Sequence, residues 1–231
     1  YLHALDRRQR QMCMRDSSIA AYIQALNLLN PGTDILTGLV TNTRPGTEDS
    51  GQILGCFLNT IPFRVQLDDP TISVEEYISN LNDKLLELKH YERLSLLDIT
   101  DLHYAGTKRE NPFFDSYFNF VDFHVYDGLE SEEVPEVPVE VVEEEGMHQE
   151  SKVYARGNTY FDFNINLTGG QYVAAITIYR KLSSGCTASM FLQQYRELLL
   201  MMVRNPQLTI GQTTYIACLL YTSDAADDLT R

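Results

Sequence analysis

The stretch Leu54-Gly55-Cys56-Phe57-Leu58-Asn59-Thr60-Ile61-Pro62-Phe63-Arg64 decides how the rest of the chain is read. Its left half is an apolar run broken by Gly55. From Ile61 the pattern alternates, with Ile61, Phe63, Val65 and Leu67 separated by Pro62, Arg64 and Gln66. A period of two is that of a strand with one buried face. Pro62 has no N–H to give to a ladder, so it belongs at a strand start, an edge or a bulge. Asn59 and Thr60 fall between the two apolar blocks. They suit a core strand entering a turn, with Asn59 satisfying its own backbone, or a pair of functional side chains.

Working outward toward the N-terminus, the loop Arg44-Pro45-Gly46-Thr47-Glu48-Asp49-Ser50-Gly51 leads into this stretch, and Asp34 to Thr43 form a strand candidate. Residues 5–30 read as helix in two parts. Asp16 or Ser17 caps the second part, Ile19, Ile23, Leu26 and Leu29 form its stripe, and Pro31-Gly32 stops it. On the other side, Ser73-Val74-Glu75-Glu76 is a capping box. Val74, Ile78, Leu81, Leu85 and Leu88 form a stripe behind it, in a helix expected to run to about His90. Asp115 to Tyr126 is an aromatic strand whose Tyr117, Phe118, Phe120, Phe123 and Tyr126 read as core.

Residues 127–150 hold ten acidic side chains and no Lys or Arg, which predicts a solvated, mobile segment. A hairpin follows. Phe161, Phe163, Ile165 and Leu167 alternate with Asp162, Asn164 and Asn166; Gly169-Gly170 turns; Tyr172, Ala174, Ile176 and Ile178 return. Ser189 to Val203 form a closing helix through Met190, Phe191, Leu198, Leu199, Met202 and Val203, ended by Asn205-Pro206. This order of elements predicts an α/β fold, a mixed β-sheet flanked by helices.

The central stretch resembles the Gly-x-Phe-Val-Asn-Thr-x-x-x-Arg signature of condensation domains from non-ribosomal peptide synthetases. Gly55, Phe57, Asn59, Thr60 and Arg64 match it, with Leu58 in place of Val. Asn42-Thr43-Arg44-Pro45 resembles in part the family's Gly-Arg-Pro loop. Arg109-Glu110-Asn111-Pro112-Phe113-Phe114 resembles its Arg-Asn-Pro-Leu-Phe turn, and His90 stands where the family carries His-Gln-Asp-x-Pro-Phe-Glu.

The resemblance implies the C-terminal lobe of a chloramphenicol acetyltransferase-like two-lobed fold, with a tunnel between the lobes. It implies the phosphopantetheine arms of donor and acceptor carrier proteins as the substrates' handles, no cofactor bound directly, and a neighbouring adenylation domain. On this reading Gly55, Phe57, Asn59, Thr60 and Arg64 belong to the tunnel or motif, with Arg44 and His90 as weaker candidates. The family's His-His-x-x-x-Asp-Gly signature, whose second His serves the attacking amine, does not occur in the sequence. No catalytic residue is therefore expected in this chain, and the missing N-terminal lobe is expected to supply it. Phe123-His124-Val125-Tyr126-Asp127-Gly128 has the wrong spacing and is read as coincidence.

Two other readings stand beside this one. A coenzyme A-dependent acyltransferase of the same superfamily finds no support, since there is no Asp-Phe-Gly-Trp-Gly and no Trp in the chain. A non-catalytic carrier-protein docking domain is the alternative that the His signature would decide.

The formal charge of −14 over 231 residues argues against a nucleic-acid surface, because nothing offsets phosphate repulsion. No apolar run approaches the length of a membrane span. The four Cys show no metal-binding or disulfide spacing, so no metal is expected and a reducing cytoplasm is the default. The chain begins at Tyr1 and reads as an internal piece of something longer.

Residues 1–211 are expected to form the lobe with a short lead-in, and 212–231 a tail. Cys218 to Arg231 resemble an in-frame translation of a transposase-type sequencing adaptor and are expected to contribute nothing to the fold.

Overall fold

A computed structural model of the chain describes residues 7–45, 49, 52–104, 113–122, 159–168, 171–179 and 187–217. The elements run α1 (Arg7–Leu29), β1 (Asp34–Asn42), β2 (Leu58–Gln66), α2 (Val74–Leu88), α3 (Leu96–Tyr104), β3 (Ser116–Asp122), β4 (Phe161–Thr168), β5 (Gln171–Ile178) and α4 (Ala188–Arg204). The Arg109–Pro112 part of the expected turn, the His124–Gly128 stretch, the acidic run 127–150, the Gly169-Gly170 turn and residues 218–231 lie outside the described residues. No helix among the described residues is long and apolar enough to cross a membrane.

The chain divides into two compact units, one of residues 1–35, 65–86 and 183–231, the other of 36–64 and 87–182. In the first, α1 packs on α4, with Tyr22 edge-on to Phe191 at 6.3 Å between ring centres. Helix α1 is continuous, where two parts were expected. Asp16 and Ser17 are interior, and the Ser18 hydroxyl donates back to the Met14 carbonyl at 2.6 Å. Residues 18–25 are buried on every side, so the expected stripe of Ile19 and Ile23 widens to take in Ala20, Ala21, Tyr22 and Ala25. Alanines favour the helix and keep its surface low enough for close packing.

Helix α2 begins as expected, with the Glu76 N–H donating to Ser73 Oγ at 3.1 Å. Its buried stripe is Val74, Tyr77, Leu81 and Leu85, with Tyr77 in the place expected for Ile78. Helix α4 is capped by Thr187, which accepts from the Met190 N–H, and its buried face gains Tyr195 while Val203 is exposed.

The folded body also runs past the expected boundary at 211. Residues 210–217 are helical, Thr213 and Ala217 are buried, and the Thr214 hydroxyl donates to Gln24 Oε1 at 3.2 Å. The 206–211 segment is held to the start of α2 by bonds from the Val74 N–H to Leu208 O and from the Ile210 N–H to Ile72 O.

Strands β3–β5 and most of β1 and β2 fall in the second unit. The sheet order is β2-β1-β3-β4-β5. β1 with β3 and β3 with β4 are parallel, and β4 with β5 is the expected antiparallel hairpin, so the sheet is mixed. β2 is an edge strand, which accommodates Pro62 as its missing donor requires. Phe118 stacks on Phe163 at 6.1 Å, and Phe161, Ile165 and Ile176 complete that buried face. Tyr117 points the other way, so the aromatic strand is not all core; β3 is described as far as Asp122, and Phe123 and Tyr126 lie outside the described residues.

Two stability outcomes follow from this packing. A Cβ on Gly38 would stand 2.6 Å from the Phe114 ring and 2.8 Å from Tyr117 Cβ. Gly38→Ala is expected to lower the unfolding free energy by about 1–3 kcal/mol in denaturant titration, because the ring must leave its place. Asp16 is buried, and burial raises its pKa above the ordinary 3.8 despite the opposing pull of Arg15, 3.0 Å away. The folded state thus binds the Asp16 proton more tightly than the unfolded chain, and the charged form weakens the fold as pH rises through the raised pKa. Asp16→Asn should therefore raise the denaturation midpoint at pH 7, and the gain should vanish at about pH 4 and below.

Candidate functional site

The central motif is split between a loop and a strand. β1 and β2 run antiparallel, because their partners step down β2 as they step up β1: the Thr43 N–H and hydroxyl bond Phe57 O at 2.8 and 2.9 Å, and the Thr41 hydroxyl bonds Asn59 O at 3.3 Å. The left half of the motif, Leu54 to Phe57, therefore lies just before β2, outside the paired strands. Leu54 is 97% exposed and Cys56 is exposed, so this apolar run is not the core block its composition suggested. In the strand half, Ile61, Phe63 and Val65 are buried as the alternation requires; Leu67 lies beyond the strand and is half-buried.

Each candidate residue has a definite place. Gly55 adopts φ +156°, a backbone state that residues with a side chain rarely enter. Phe57 is half-buried and carries the Arg44 guanidinium 4.3 Å above its ring. Arg44 Nη1 also donates to Ile53 O at 3.0 Å, and its backbone N–H to Asn42 Oδ1 at 3.0 Å. An exposed cation over a ring contributes about 0.5–1 kcal/mol, enough to close a loop already held by backbone bonds. Thr60 is half-buried on β2, and Arg64 is exposed farther along the same strand.

Asn59 does something neither simple reading anticipates. Its Nδ2 donates to Glu92 O at 2.8 Å and to Leu94 O at 2.7 Å. The side chain satisfies distant backbone, not its own, and ties β2 to the turn that follows α2. His90 lies exposed at the head of that turn, its N–H on Glu87 O at 3.1 Å. Two stretches that the sequence singled out separately, the Asn-Thr pair and the His90 turn, are thus joined through one amide.

The turn leads into α3, an element that the sequence reading missed. Ser95 and Asp98 form its capping box: Ser95 Oγ donates to Asp98 Oδ2 at 2.6 Å, and the Asp98 N–H donates to Ser95 Oγ at 3.1 Å. The Ser-x-x-Asp spacing was the available signal. Large apolar side chains in this unit are exposed beside these elements, with Leu58 at 65%, Leu97 at 69% and Leu102 at 82%.

A cavity of about 800 Å³ lies elsewhere, in the first unit, lined by Asn27, Leu67, Asp68, Tyr77, Ile210 and Thr214 among others. No candidate motif residue lines it. Tyr77 in its wall is pushed well above the ordinary phenol range, chiefly by burial, with Gln24 beside its hydroxyl opposing the shift.

Comparison with known proteins agrees with the motif. The family model for the condensation domain matches residues 9–218. A linear gramicidin synthase of Brevibacillus parabrevis is 30% identical over 122 residues, 51% of this chain and 2% of that protein. AMB antimetabolite synthetase AmbE of Pseudomonas aeruginosa is 34% identical over 113 residues, 48% of this chain and 5% of that protein.

Among solved structures, the condensation domain of the Monacolin K polyketide synthase MokA superposes with a TM-score of 0.60 at 18% identity, over 89% of this chain and 47% of that one. The four-domain non-ribosomal peptide synthetase holo-AB3403 does so with a TM-score of 0.62 at 15% identity, over 85% of this chain and 15% of that one. The chain thus spans a small part of its curated relatives and less than half of these solved chains, and the solved structures share its fold, a mixed five-stranded sheet with helices. The chain belongs to the condensation domain family.

Proposed function

We propose that this chain forms the C-terminal lobe of a condensation domain that makes an amide bond in non-ribosomal peptide synthesis. The family match over residues 9–218 carries the reading. The relatives, a linear gramicidin synthase subunit and an antimetabolite synthetase, and the non-ribosomal peptide synthetase of similar fold support the assembly-line setting. In the reaction, an acceptor amine attacks the carbonyl of a donor thioester. The C–N bond forms, the C–S bond breaks, the amine proton passes to a base and the donor thiol leaves. Both acyl groups would arrive on phosphopantetheine arms of carrier proteins, with an adenylation domain upstream of the loading step.

The lobe's part in this is positional. The sequence contains no His-His-x-x-x-Asp-Gly, so the base belongs to an N-terminal lobe that the chain itself does not supply. Holding a thioester and an amine in line removes much of the barrier without any acid or base from this side. Arg44, Ile53 to Phe57, Asn59 and the 89–95 turn form one connected piece of wall, and the exposed Leu58, Leu97 and Leu102 suit a surface that another lobe covers. Gly55, Phe57 and Arg44 shape the loop, Asn59 holds the turn, and Thr60, Arg64 and His90 remain candidates for substrate contact.

The test is reconstitution. Supplied with both aminoacyl-loaded carrier proteins, the chain alone should form no peptide bond above background; joined to an upstream lobe with an intact His signature, it should turn over. Robust condensation by the chain alone, or none by the joined protein, would sink the reading. In the joined protein, Asn59→Ala should cost about 1–3 kcal/mol of stability, because two backbone carbonyls lose their donor. It should also speed amide exchange across residues 89–95. A turnover loss with stability and exchange unchanged would instead make Asn59 a direct substrate contact.

A further inference from the structure

The cavity in the first unit is walled by α1, the run from Gln66 to Ile72, α2 and the helical residues 210–215. Its volume of about 800 Å³ falls within the range of small-molecule sites, about 300–1,000 Å³. Leu67, Pro70, Ile72 and Ile210 give it apolar walls. None of the motif residues lines it, and the condensation reaction makes no use of it.

Two polar groups of this lining are left over. Gln24 is wholly buried and Tyr77 is 4% exposed, yet Gln24 Nε2 and the Tyr77 hydroxyl meet no hydrogen-bond partner among the described residues. The other end of the amide is engaged: the Thr214 hydroxyl donates to Gln24 Oε1 at 3.2 Å and to Ile210 O at 2.9 Å. Gln24 stands beside the Tyr77 hydroxyl without bonding it, and burial keeps that phenol protonated. The unmet groups are thus an amide NH₂ from α1 and a phenol O–H from α2. Buried groups of this kind are normally paired, because an unmet donor weakens the fold.

We propose that this cavity binds a neutral small molecule with an apolar body and one carbonyl oxygen, as in a ketone, an ester or a lactone, which the Gln24 amide and the Tyr77 hydroxyl share. A carbonyl oxygen has two lone pairs and no hydrogen to give, so it takes both unmet donors at once. The apolar walls suit the body of such a molecule. The charged side chains of the described lining are Asp68 and Asp69, both exposed, with no Lys, Arg or His beside them. Asp69 accepts the Thr71 N–H at 2.8 Å and the Thr71 hydroxyl at 2.5 Å, bonds that hold its carboxyl below the usual range and keep it ionised. A carboxylate or phosphate ligand would therefore meet like charge and no counter-charge. An ammonium would be drawn to the two carboxylates but offers no lone pair to the buried donors.

The experiment titrates the 231-residue chain, ¹⁵N-labelled, with 4-phenylbutan-2-one, and in separate arms with 4-phenylbutanoate and 4-phenylbutylammonium. Saturable shifts are expected with the ketone at the Gln24 side-chain NH₂ and at the backbone amides of Leu67, Tyr77 and Ile210. The carboxylate and the ammonium should each bind at least about fivefold more weakly, having lost the shared carbonyl. Tyr77→Phe and Gln24→Leu should each weaken the ketone about fivefold, as the loss of one neutral hydrogen bond implies. Leu67→Trp fills the space, leaves both donors in place and should abolish binding.

Denaturation of the ligand-free variants separates binding from a purely structural role. Tyr77→Phe removes an unmet group, so its midpoint should hold or rise; a fall would mean that the hydroxyl is already paired within the fold, and overturns the proposal. Gln24→Leu also gives up the bond from Thr214, and if it loses the dispersed spectrum of the folded chain, Tyr77→Phe decides alone. No saturable shift with the ketone, which would leave water as the occupant, overturns the proposal. So does tighter binding of the carboxylate or the ammonium than of the ketone, or ketone binding unchanged in Tyr77→Phe and Leu67→Trp. Turnover of the joined two-lobe protein does not enter these readouts, so failure of the condensation reading and failure of this site are told apart.

Discussion

β3 and β4 pair in parallel along seven residues, from Ser116 against Phe161 to Asp122 against Leu167, and most of the second unit is arranged around that pairing. It sets Phe118 on Phe163 on one face and Asn119 on Asn164 on the other. β1 joins β3 in the same sense, and the β5 hairpin closes the far side. Parallel neighbours cannot be joined by a tight turn; they need a crossover of a dozen residues or more. The connection from Asp122 to Phe161 is longer than that and contains the acidic run 127–150. Its unusual composition therefore falls where the topology demands length and places little demand on sequence.

The approach of β1 to β3 imposes a second constraint. Gly38 pairs with Tyr117, and the Phe114 ring occupies the space where a Cβ would stand. The Thr37 hydroxyl, fully buried, donates to Ser116 O at 2.9 Å on the other face. One residue without a side chain and one with a short polar side chain thus fit the two sides of the same close contact. Substitution at either position would be felt in the sheet before it was felt at any site.

The stretch before β2, Asn59 and the 89–95 turn show how a weak sequence motif acquires physical meaning. Gly55, Phe57 and Arg44 make a loop closed by a stacked guanidinium, and Asn59 commits its amide hydrogens to carbonyls more than thirty residues away. These are structural bonds, yet they bring together the stretches that resemble the family's motifs. The cavity beside Tyr77 and this cluster lie in different units, so cavity size does not mark the motif.

Periodicity made the hairpin at 161–178, the edge strand bearing Pro62, and helices α2 and α4 legible from the sequence, because each presents one buried face and clear end signals. The Gly-x-Phe-x-Asn-Thr pattern made the family legible. Burial by neighbours distant in the chain was not. Asp16 reads as a cap, but residues 18–25 are buried on every side and α1 continues through it; Tyr77 displaces Ile78 from a buried stripe; Thr213 and Ala217 pack beyond the expected end at 211. The partners of Asn59, and the pairing of Asn119 with Asn164, depend on which strands and turns become neighbours. A strand's own period states which residues share a face, and so the sequence by itself determined the strands, helices α2 and α4 and the family. What lies across from that face is set by long-range register, which local pattern does not encode, and only the tertiary structure decided it.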